Sequence, residues 1–320
     1  MTNPQKSGNR KVILVGSGAV GASFAFLLLA NNTVHELGII DTNVQKAEGD
    51  VLDLLHSLAF LSPKKVYVAD YKDCADADIA VLTAGAAQKP GQTRIDLLKV
   101  NLEIIRENVT NMVKNGFKGI FLVATNPVDI LSYAVWKFSG FPESRVIGSG
   151  TILDTARLRQ TIARELQIDA RNVHAYVLGE HGDSEFVPWS RTYISAFSIM
   201  EWMEKHPDQL DKKDLNDLFI SVRDAAAAII QRKGATYYGI AAGLVRIIET
   251  IFNNENAILP LSVLMQGQYG HKDLFISTPV IINKEGIRQI IEINLNKEEQ
   301  ELMDASANKL KAVIKEVLPS

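Results

Sequence analysis

Short apolar runs alternate with amphipathic stretches through the first 150 residues of the chain. The apolar runs favour strands buried on both faces of a parallel sheet, and the stretches between them favour helices. Strands are predicted at residues 11–15, 37–40, 65–68, 79–83, 119–124 and 146–147. Helices are predicted at residues 20–29, 44–59, 95–114 and 128–138. This alternation implies parallel strands joined by right-handed crossovers.

The pattern changes after residue 150. Helices are predicted at 154–166, within 213–244 and at 302–317, and strands at 173–178, 262–269 and 274–282. We therefore expect an α/β protein: a doubly wound parallel (Rossmann) sheet in residues 1–149 and a C-terminal α+β substrate domain in residues 150–320.

Composition narrows the class of protein. Hydrophobic residues make up 47% of the chain, charged residues 22%, and the net charge is −3. Neither nucleic acid nor an anionic membrane is therefore expected as a partner. Cys74 is the only cysteine, so no internal disulfide is possible and a reducing compartment is the simplest interpretation. Without an apolar signal region or a run long enough to cross a membrane, the chain is expected to be cytoplasmic.

A glycine-rich turn follows the first predicted strand. Gly16, Gly18 and Gly21 match G-x-G-x-x-G, and Asp41 ends the next strand. The glycines allow a tight turn, close approach of a pyrophosphate and helix–sheet packing, while the aspartate can accept bonds from ribose hydroxyls. A purely structural glycine turn is the alternative. Lys46 could supplement the adenosine end or be an ordinary solvated lysine.

His181 lies in a polar, glycine-flanked turn after a predicted strand. An imidazole there could exchange a proton with a hydroxyl near pH 7, although a surface histidine is the alternative. Asp154 and Arg157 are three residues apart on one helix face. The aspartate could orient His181, and the arginine could bind a carboxylate through two parallel hydrogen bonds. The alternative is an ordinary surface ion pair between the two residues.

Two loops at the carboxyl ends of neighbouring strands add polar groups to the same crevice. Arg94 ends a Gly/Pro-punctuated segment that could close as a lid, and Asn126 offers an amide. Either loop could instead be an ordinary solvated connection. Arg159 projects from another face of the Arg157 helix and needs a separate explanation.

Six segments together resemble the L-lactate/malate dehydrogenase family, and within it the bacterial L-lactate dehydrogenases. They are GSGAVG at 16–21, AGAAQKPGQTR at 84–94, ATNPVD at 124–129, GSGTILDTARLR at 148–159, GEHGDSE at 179–185 and KGATYYGIA at 233–241. The resemblance implies NAD-dependent interconversion of pyruvate and L-lactate by a homotetramer. A malate dehydrogenase and a non-catalytic NAD-binding regulator are the alternatives.

The resemblance also implies roles for individual residues. His181 corresponds to the acid/base group oriented by Asp154, Arg157 to the carboxylate-binding residue, and Arg94 to the group that polarises the substrate carbonyl. Asn126 and Thr236 fall at substrate positions. The positions associated with NAD are Gly16, Gly18, Val20, Gly21, Asp41, Lys46, Tyr71, Gly85, Ala86, Ala124, Asn126, Ser149 and Ile240.

Gln88 distinguishes the two substrates of the family. Malate dehydrogenases that resemble the chain carry an arginine there, which pairs with the second carboxylate of oxaloacetate. A neutral glutamine would leave that carboxylate unpaired, which is costly in a buried site. Pyruvate is therefore the expected substrate.

Arg159 and His174 match the two positions that bind fructose 1,6-bisphosphate in allosteric bacterial members. The family places that site between subunits, so activation by this ligand is expected, with an inert pair as the alternative. Two departures concern the closing loop, where Ala87 stands for a frequent proline and Gln92 for a frequent glutamate. The catalytic groups are intact. No metal site is expected.

Overall fold

A computed structural model describes residues 10–86 and 91–318. Its largest element is a sheet of mixed direction with the strand order β12-β11-β10-β6-β5-β4-β1-β2-β3. The strands are β1 (Lys11–Val15), β2 (Glu36–Ile40), β3 (Lys65–Val68), β4 (Ile79–Leu82), β5 (Ile120–Val123), β6 (Val146–Gly148), β7 (Val173–His174), β8 (Tyr193–Ile194), β9 (Phe197–Ser198), β10 (Ala257–Gln266), β11 (Lys272–Asn283) and β12 (Gly286–Ile290). The helices are α1 (Ala19–Ala30), α2 (Val44–Ser57), α3 (Arg94–Lys114), α4 (Val128–Ser139), α5 (Ile152–Glu165), α6 (Ile199–Lys205), α7 (Lys212–Lys233), α8 (Tyr238–Phe252) and α9 (Lys297–Val317).

Strands β1 to β6 form the parallel part of the sheet. Every residue of β1, β4 and β5 is buried, as expected for apolar strands covered by helices on both faces. The strand order reverses between β1 and β4. Loops at the carboxyl ends of the strands therefore diverge there and leave a crevice, the usual ligand position in such sheets. The predicted doubly wound sheet is confirmed.

The predicted elements of residues 11–148 agree with the observed ones to within about two residues at each end, the ordinary uncertainty of such boundaries. The second half departs further. The prediction of a strand over 173–178 is wrong beyond β7. There the backbone of Val177 bonds to two threonine side chains, its N–H to Thr155 Oγ1 of α5 at 2.9 Å and its carbonyl to Oγ1 of Thr151, the N-cap of α5, at 2.6 Å. Threonine hydroxyls replace a neighbouring strand.

The predicted strand pair of the second half forms an antiparallel extension of the same sheet. β10 pairs with β11, and Ser262 of β10 lies opposite Gly148 of β6. Strand β12 is not predicted from the sequence, because it is a polar edge strand with exposed Arg288 and Gln289 and lacks the apolar pattern. The short α6 was also missed. It begins with a reciprocal capping box between Ser198 and Glu201.

The predicted boundary at residues 149/150 falls between β6 and α5, but the sheet and its main hydrophobic core continue across it. A second apolar cluster packs α5 against α7 and the small β7–β8–β9 sheet. In the described part of the chain, no helix is long and apolar enough to span a membrane.

Replacing Gly21 with alanine should lower the free energy of unfolding by about 1–3 kcal/mol, as overpacking does. The new Cβ would lie 2.0 Å from the carbonyl oxygen of Gly16. Gly18→Ala is the matched control, because no atom lies within 4 Å of its Cβ position. Thermal unfolding of both variants measures the difference, and equal losses would contradict the packing argument.

Candidate active site

The glycine-rich turn connects β1 to α1 and leaves space at one position. Gly16 has a φ of +96° and lies against the backbone of Ala84, so a side chain would be strained there. Gly18 is the N-cap of α1, lacks a side-chain cap and faces open space. A bare helix N-terminus beside that space suits a phosphate group.

Asp41 closes the turn from the end of β2. Its two carboxylate oxygens accept the backbone N–H groups of Ser17 and Asn43 at 2.7 and 2.8 Å. Burial alone would raise the pKa of Asp41, but these bonds and the Ser17 hydroxyl lower it. The resulting fixed negative charge suits ribose hydroxyls and opposes a 2′-phosphate. Lys46 bonds to the Ser17 carbonyl and to Asp50 at 2.6 Å, so its amine already has partners within the protein.

Asn101 of α3 joins the loops that follow β4 and β5. Its side chain accepts the Ala86 N–H at 2.8 Å and donates to the Asn126 carbonyl at 3.2 Å. Asn101 is buried. It was not predicted as a site residue, because in the sequence it is one of several polar residues in an amphipathic helix. The bond to the Asn126 carbonyl holds that backbone in place, while the Asn126 side chain is exposed.

The remaining predicted cofactor residues lie on several loops and helices around this edge. Tyr71 donates from its hydroxyl to Asn108 at 3.1 Å, Ser149 is buried at the end of β6, and Ile240 is partly buried in α8. Thr236, predicted to line the substrate pocket, lies half-buried between α7 and α8. Gln88 and Ala87 lie outside the described residues.

Asp154 bridges the histidine and the arginine. One carboxylate oxygen lies 2.6 Å from Nδ1 of His181, and the other accepts a bond of 3.0 Å from Arg157. The aspartate is 3% exposed, whereas the histidine and arginine side chains are 27% and 14% exposed. With Nδ1 engaged by the aspartate, the Nε2 atom of His181 is the nitrogen that can serve a ligand.

The bridge determines the charges of its members. Burial alone would lower the pKa of His181, but the bond and charge of Asp154, followed by the charges of Asp129 and Glu185, raise it to about 9. The partner cations lower the pKa of Asp154 against the effect of its burial. The protonated imidazole therefore stabilises the fold fully below pH 6.5, and this contribution is lost as pH rises through about 9.

Asp129 anchors the backbone of the histidine loop. Its buried carboxylate accepts the His181 N–H at 2.8 Å and the Ser262 hydroxyl at 2.5 Å. Burial raises the pKa of Asp129 to about 6, although both bonds oppose that effect. Asp129 belongs to the ATNPVD segment, but no role is predicted for it from sequence. An acid in the first turn of a helix is already explained by the helix dipole.

Arg94 pairs with an acid of the histidine-containing turn, and no bond between Arg94 and His181 is found among the described residues. It begins α3, its side chain is 86% exposed, and it pairs with Asp183 at 3.2 Å. The predicted contact of Arg94 with a substrate carbonyl beside His181 would therefore require its guanidinium to leave Asp183.

Asp154, His181 and Glu185 offer potential metal-ligating atoms within 4.8 Å of one another. Arg157, however, bonds to the same aspartate, and its positive charge opposes a cation there. The directed Nδ1–carboxylate bond suits proton transfer. A metal site is therefore not assigned to this cluster.

Arg159 lies away from this site. Its Nε donates to the carbonyl of Ala175 at 3.0 Å, and its guanidinium lies over the ring of Tyr176. His174 is exposed on the adjoining strand β7. Both residues therefore belong to one surface region, as a shared ligand would require.

Family models match almost the whole chain. The NAD binding domain of lactate/malate dehydrogenase matches residues 10–148, and the alpha/beta C-terminal domain of lactate/malate dehydrogenase matches residues 151–319. The chain belongs to the lactate/malate dehydrogenase family. It is therefore an NAD-dependent oxidoreductase, and the resemblance stated from its sequence is confirmed.

Relatives within the family are similar along nearly their full length. The chain is 60% identical to L-lactate dehydrogenase 1 of Enterococcus faecalis, covering 96% of this chain and 93% of that protein. It is 57% identical to L-lactate dehydrogenase of Streptococcus pyogenes, covering 96% and 94%.

Solved structures agree in fold. The minor L-lactate dehydrogenase of Enterococcus mundtii in its ligands-bound form gives a TM-score of 0.95 at 46% identity, covering 98% of this chain and 100% of that chain. A lactate dehydrogenase from a Medee basin deep-sea metagenome library gives 0.94 at 50% identity, covering 97% and 99%.

Replacing Asp154 with asparagine should lower the pKa of His181 from about 9 toward its ordinary 6.5. The amide removes the negative charge that favours the imidazolium. Histidine resonances followed by NMR across pH, with the His181 signal assigned from His181→Asn, measure the change. Asp304→Asn is the control, since that acid pairs with His271 at 2.8 Å instead. An unchanged His181 titration in Asp154→Asn would refute the assignment.

Proposed function

We propose that the protein is an L-lactate dehydrogenase that reversibly reduces pyruvate to L-lactate with NADH. The observation that carries this proposal is the Asp154 bridge, which places a proton-carrying imidazole beside a guanidinium. The names of the relatives in Enterococcus and Streptococcus support the same activity. We also propose residues 1–149 as the NAD-binding domain and residues 150–320 as the substrate domain.

The residues around the glycine-rich turn fit the cofactor. Gly18 leaves room for a pyrophosphate at the uncapped start of α1, and the charge of Asp41 suits the adenosine ribose. Residues assigned to the same cofactor are Gly16, Val20, Gly21, Lys46, Tyr71, Gly85, Ala86, Ala124, Asn126, Ser149 and Ile240. When bound, the reduced nicotinamide supplies a hydride to the carbonyl carbon of the substrate.

The chain's own groups bind the keto acid and move the proton. One Arg157 nitrogen bonds to Asp154, which leaves the rest of its donor fork for the substrate carboxylate. Protonated His181 donates from Nε2 to the carbonyl oxygen as it becomes a hydroxyl. The raised pKa of His181 keeps the proton in place at pH 7, which favours the reductive direction. In the reverse direction, neutral His181 accepts the proton of lactate.

Arg94 would stabilise the developing negative charge on the substrate oxygen after loop closure. Its pair with Asp183 joins two side chains that are 86% and 72% exposed. Such exposed pairs are weak, at roughly 0–1 kcal/mol, so exchange of Asp183 for a substrate oxygen costs little. Closure would also expel water and strengthen the interactions inside the site.

Substrate choice rests on Gln88, Asn126 and Thr236. The neutral side chain of Gln88 would leave the second carboxylate of oxaloacetate unpaired. This favours pyruvate over oxaloacetate, and hence lactate over malate dehydrogenase activity.

The parent protein should oxidise NADH with pyruvate and far more slowly with oxaloacetate, as measured by the loss of NADH absorbance. His181→Asn should lower kcat by at least about 100-fold, because an amide cannot donate the proton. NADH binding, followed by its fluorescence, should persist in that variant. NADH binding without turnover by the parent would favour the non-catalytic regulator, and preference for oxaloacetate would favour the malate dehydrogenase.

A homotetramer activated by fructose 1,6-bisphosphate is the finer part of the proposal. The proximity of Arg159 to the strand that carries His174 supports a phosphate-binding region on the face of α5 away from Arg157. Cations gathered there would repel one another until a phosphate neutralises them.

Fructose 1,6-bisphosphate should lower the pyruvate concentration for half-maximal rate between about pH 5.5 and 7.5, where histidine charge changes. Arg159→Gln and His174→Gln should each remove this effect, measured by initial rates with and without the ligand. Arg145→Gln removes the same charge just before β6 and should leave activation intact. If the parent shows no response anywhere in this range, the region is inert.

A further inference from the structure

Glu185 has a buried carboxyl group beside the catalytic bridge. It ends the histidine-containing turn, where its backbone N–H donates to the Gly182 carbonyl at 3.1 Å. The residue is 6% exposed. Its side chain receives no hydrogen bond from residues 10–86 or 91–318, and its carboxyl oxygens are not among the fully enclosed polar atoms without a partner, so they keep some access to solvent.

The surroundings of Glu185 oppose its ionisation. A carboxyl oxygen of Glu185, a ring nitrogen of His181 and a carboxylate oxygen of Asp154 lie within 4.8 Å of one another. Burial and the charge of Asp154 raise the pKa of Glu185 to about 8, while His181, Arg157 and Arg223 of α7 act in the opposite direction. Asp129 of α4, whose carboxylate accepts the backbone N–H of His181, is a further acid near the imidazole.

We propose that Glu185 is a positioning residue whose buried carboxyl group must hold a proton when a keto acid binds to Arg157, and that it thereby links substrate binding to pH. The inference rests on the proposed function, because it takes Arg157 as the site of the substrate carboxylate. It concerns a residue outside the set identified from sequence.

The physical reason is the balance of charge. Without substrate, Arg157 and His181 can offset one additional negative charge on Glu185. A substrate carboxylate engages Arg157 and brings another negative charge into the same low-dielectric space, so the neutral form of Glu185 becomes the compatible one. Below about pH 8 Glu185 already holds its proton. Above about pH 8 substrate binding must be accompanied by proton uptake at Glu185, and above about pH 9 also by proton uptake at His181.

The pH dependence of the KM for pyruvate tests this linkage. In the parent, KM should rise more steeply above pH 8 and approach about 100-fold per pH unit above pH 9, the dependence expected for two protons. In Glu185→Gln it should approach about 10-fold per unit, because only His181 titrates. The glutamine resembles the protonated acid, so the two profiles should diverge increasingly with pH.

Two further variants separate a specific effect from a general one. Glu165→Gln removes one acid from the exposed end of α5 and should retain the parent's steep profile. Glu185→Asp keeps the titrating group and should restore a steepness intermediate between the parent and Glu185→Gln. Equal steepness in the parent and Glu185→Gln would overturn the inference.

Proton uptake gives a measurement that needs no turnover. Calorimetry at pH 9 in two buffers of different ionisation enthalpy would count the protons taken up when oxamate, an unreactive isostere of pyruvate, binds to the protein with NADH. The parent should take up more than one proton and Glu185→Gln at most one. If Glu185→Gln does not fold, proton uptake by the parent is sufficient as a test, because uptake of one proton or less overturns the inference. Failure of the parent to reduce pyruvate would instead overturn the proposed function.

Discussion

The buried carboxylate of Asp154 is the constraint on which the site depends. An ionised carboxylate that is 3% exposed is costly unless partners replace its water, and here one oxygen faces His181 and the other Arg157. Removal of either partner would leave an uncompensated buried charge, which typically costs about 3–5 kcal/mol. The same bonds that keep the aspartate charged therefore fix the imidazole and the guanidinium relative to each other.

The sheet continues this constraint into the backbone. Asp129 binds the His181 N–H and also the Ser262 hydroxyl, so it joins the histidine loop to β10. β10 pairs with β6, and β6 leads directly into α5, which carries Asp154 and Arg157. Both ends of the hydrogen bond between His181 and Asp154 are thus held by neighbouring strands of one sheet. Because sites of this kind lose activity with small displacements, a rigid common support is what the chemistry requires.

Sequence identified the side chains that meet at the candidate site and missed those that hold them in place. The glycine turn, Asp41, His181, Asp154 and Arg157 were accessible because each belongs to a local motif whose spacing has a chemical meaning. Residues such as Asn101 and Asp129 act through hydrogen bonds to residues distant along the chain, which the spacing within a local motif cannot predict.

The same distinction explains the errors in the fold. Buried parallel strands carry a continuous apolar signal. After β7, by contrast, the backbone of Val177 bonds to Thr155 of α5 and to its N-cap Thr151, and β12 is a polar edge strand. The ion pair of Arg94 with Asp183 could not be predicted from sequence either, since the two residues are far apart along the chain.

Three acids close to one histidine differ in acidity according to their partners. Asp154 faces two cations, and its pKa is lowered. Asp129 accepts only a backbone N–H and a hydroxyl, and its pKa is raised to about 6. Glu185 receives no hydrogen bond from the described residues, and its pKa is raised to about 8. Burial is common to all three, so their hydrogen-bond partners and the charges of their neighbours, such as that of Asp154 beside Glu185, produce the order. Near neutral pH this order leaves Asp154 and most of Asp129 ionised and Glu185 mostly protonated, so the imidazole that is proposed to donate a proton to a carbonyl oxygen stays charged.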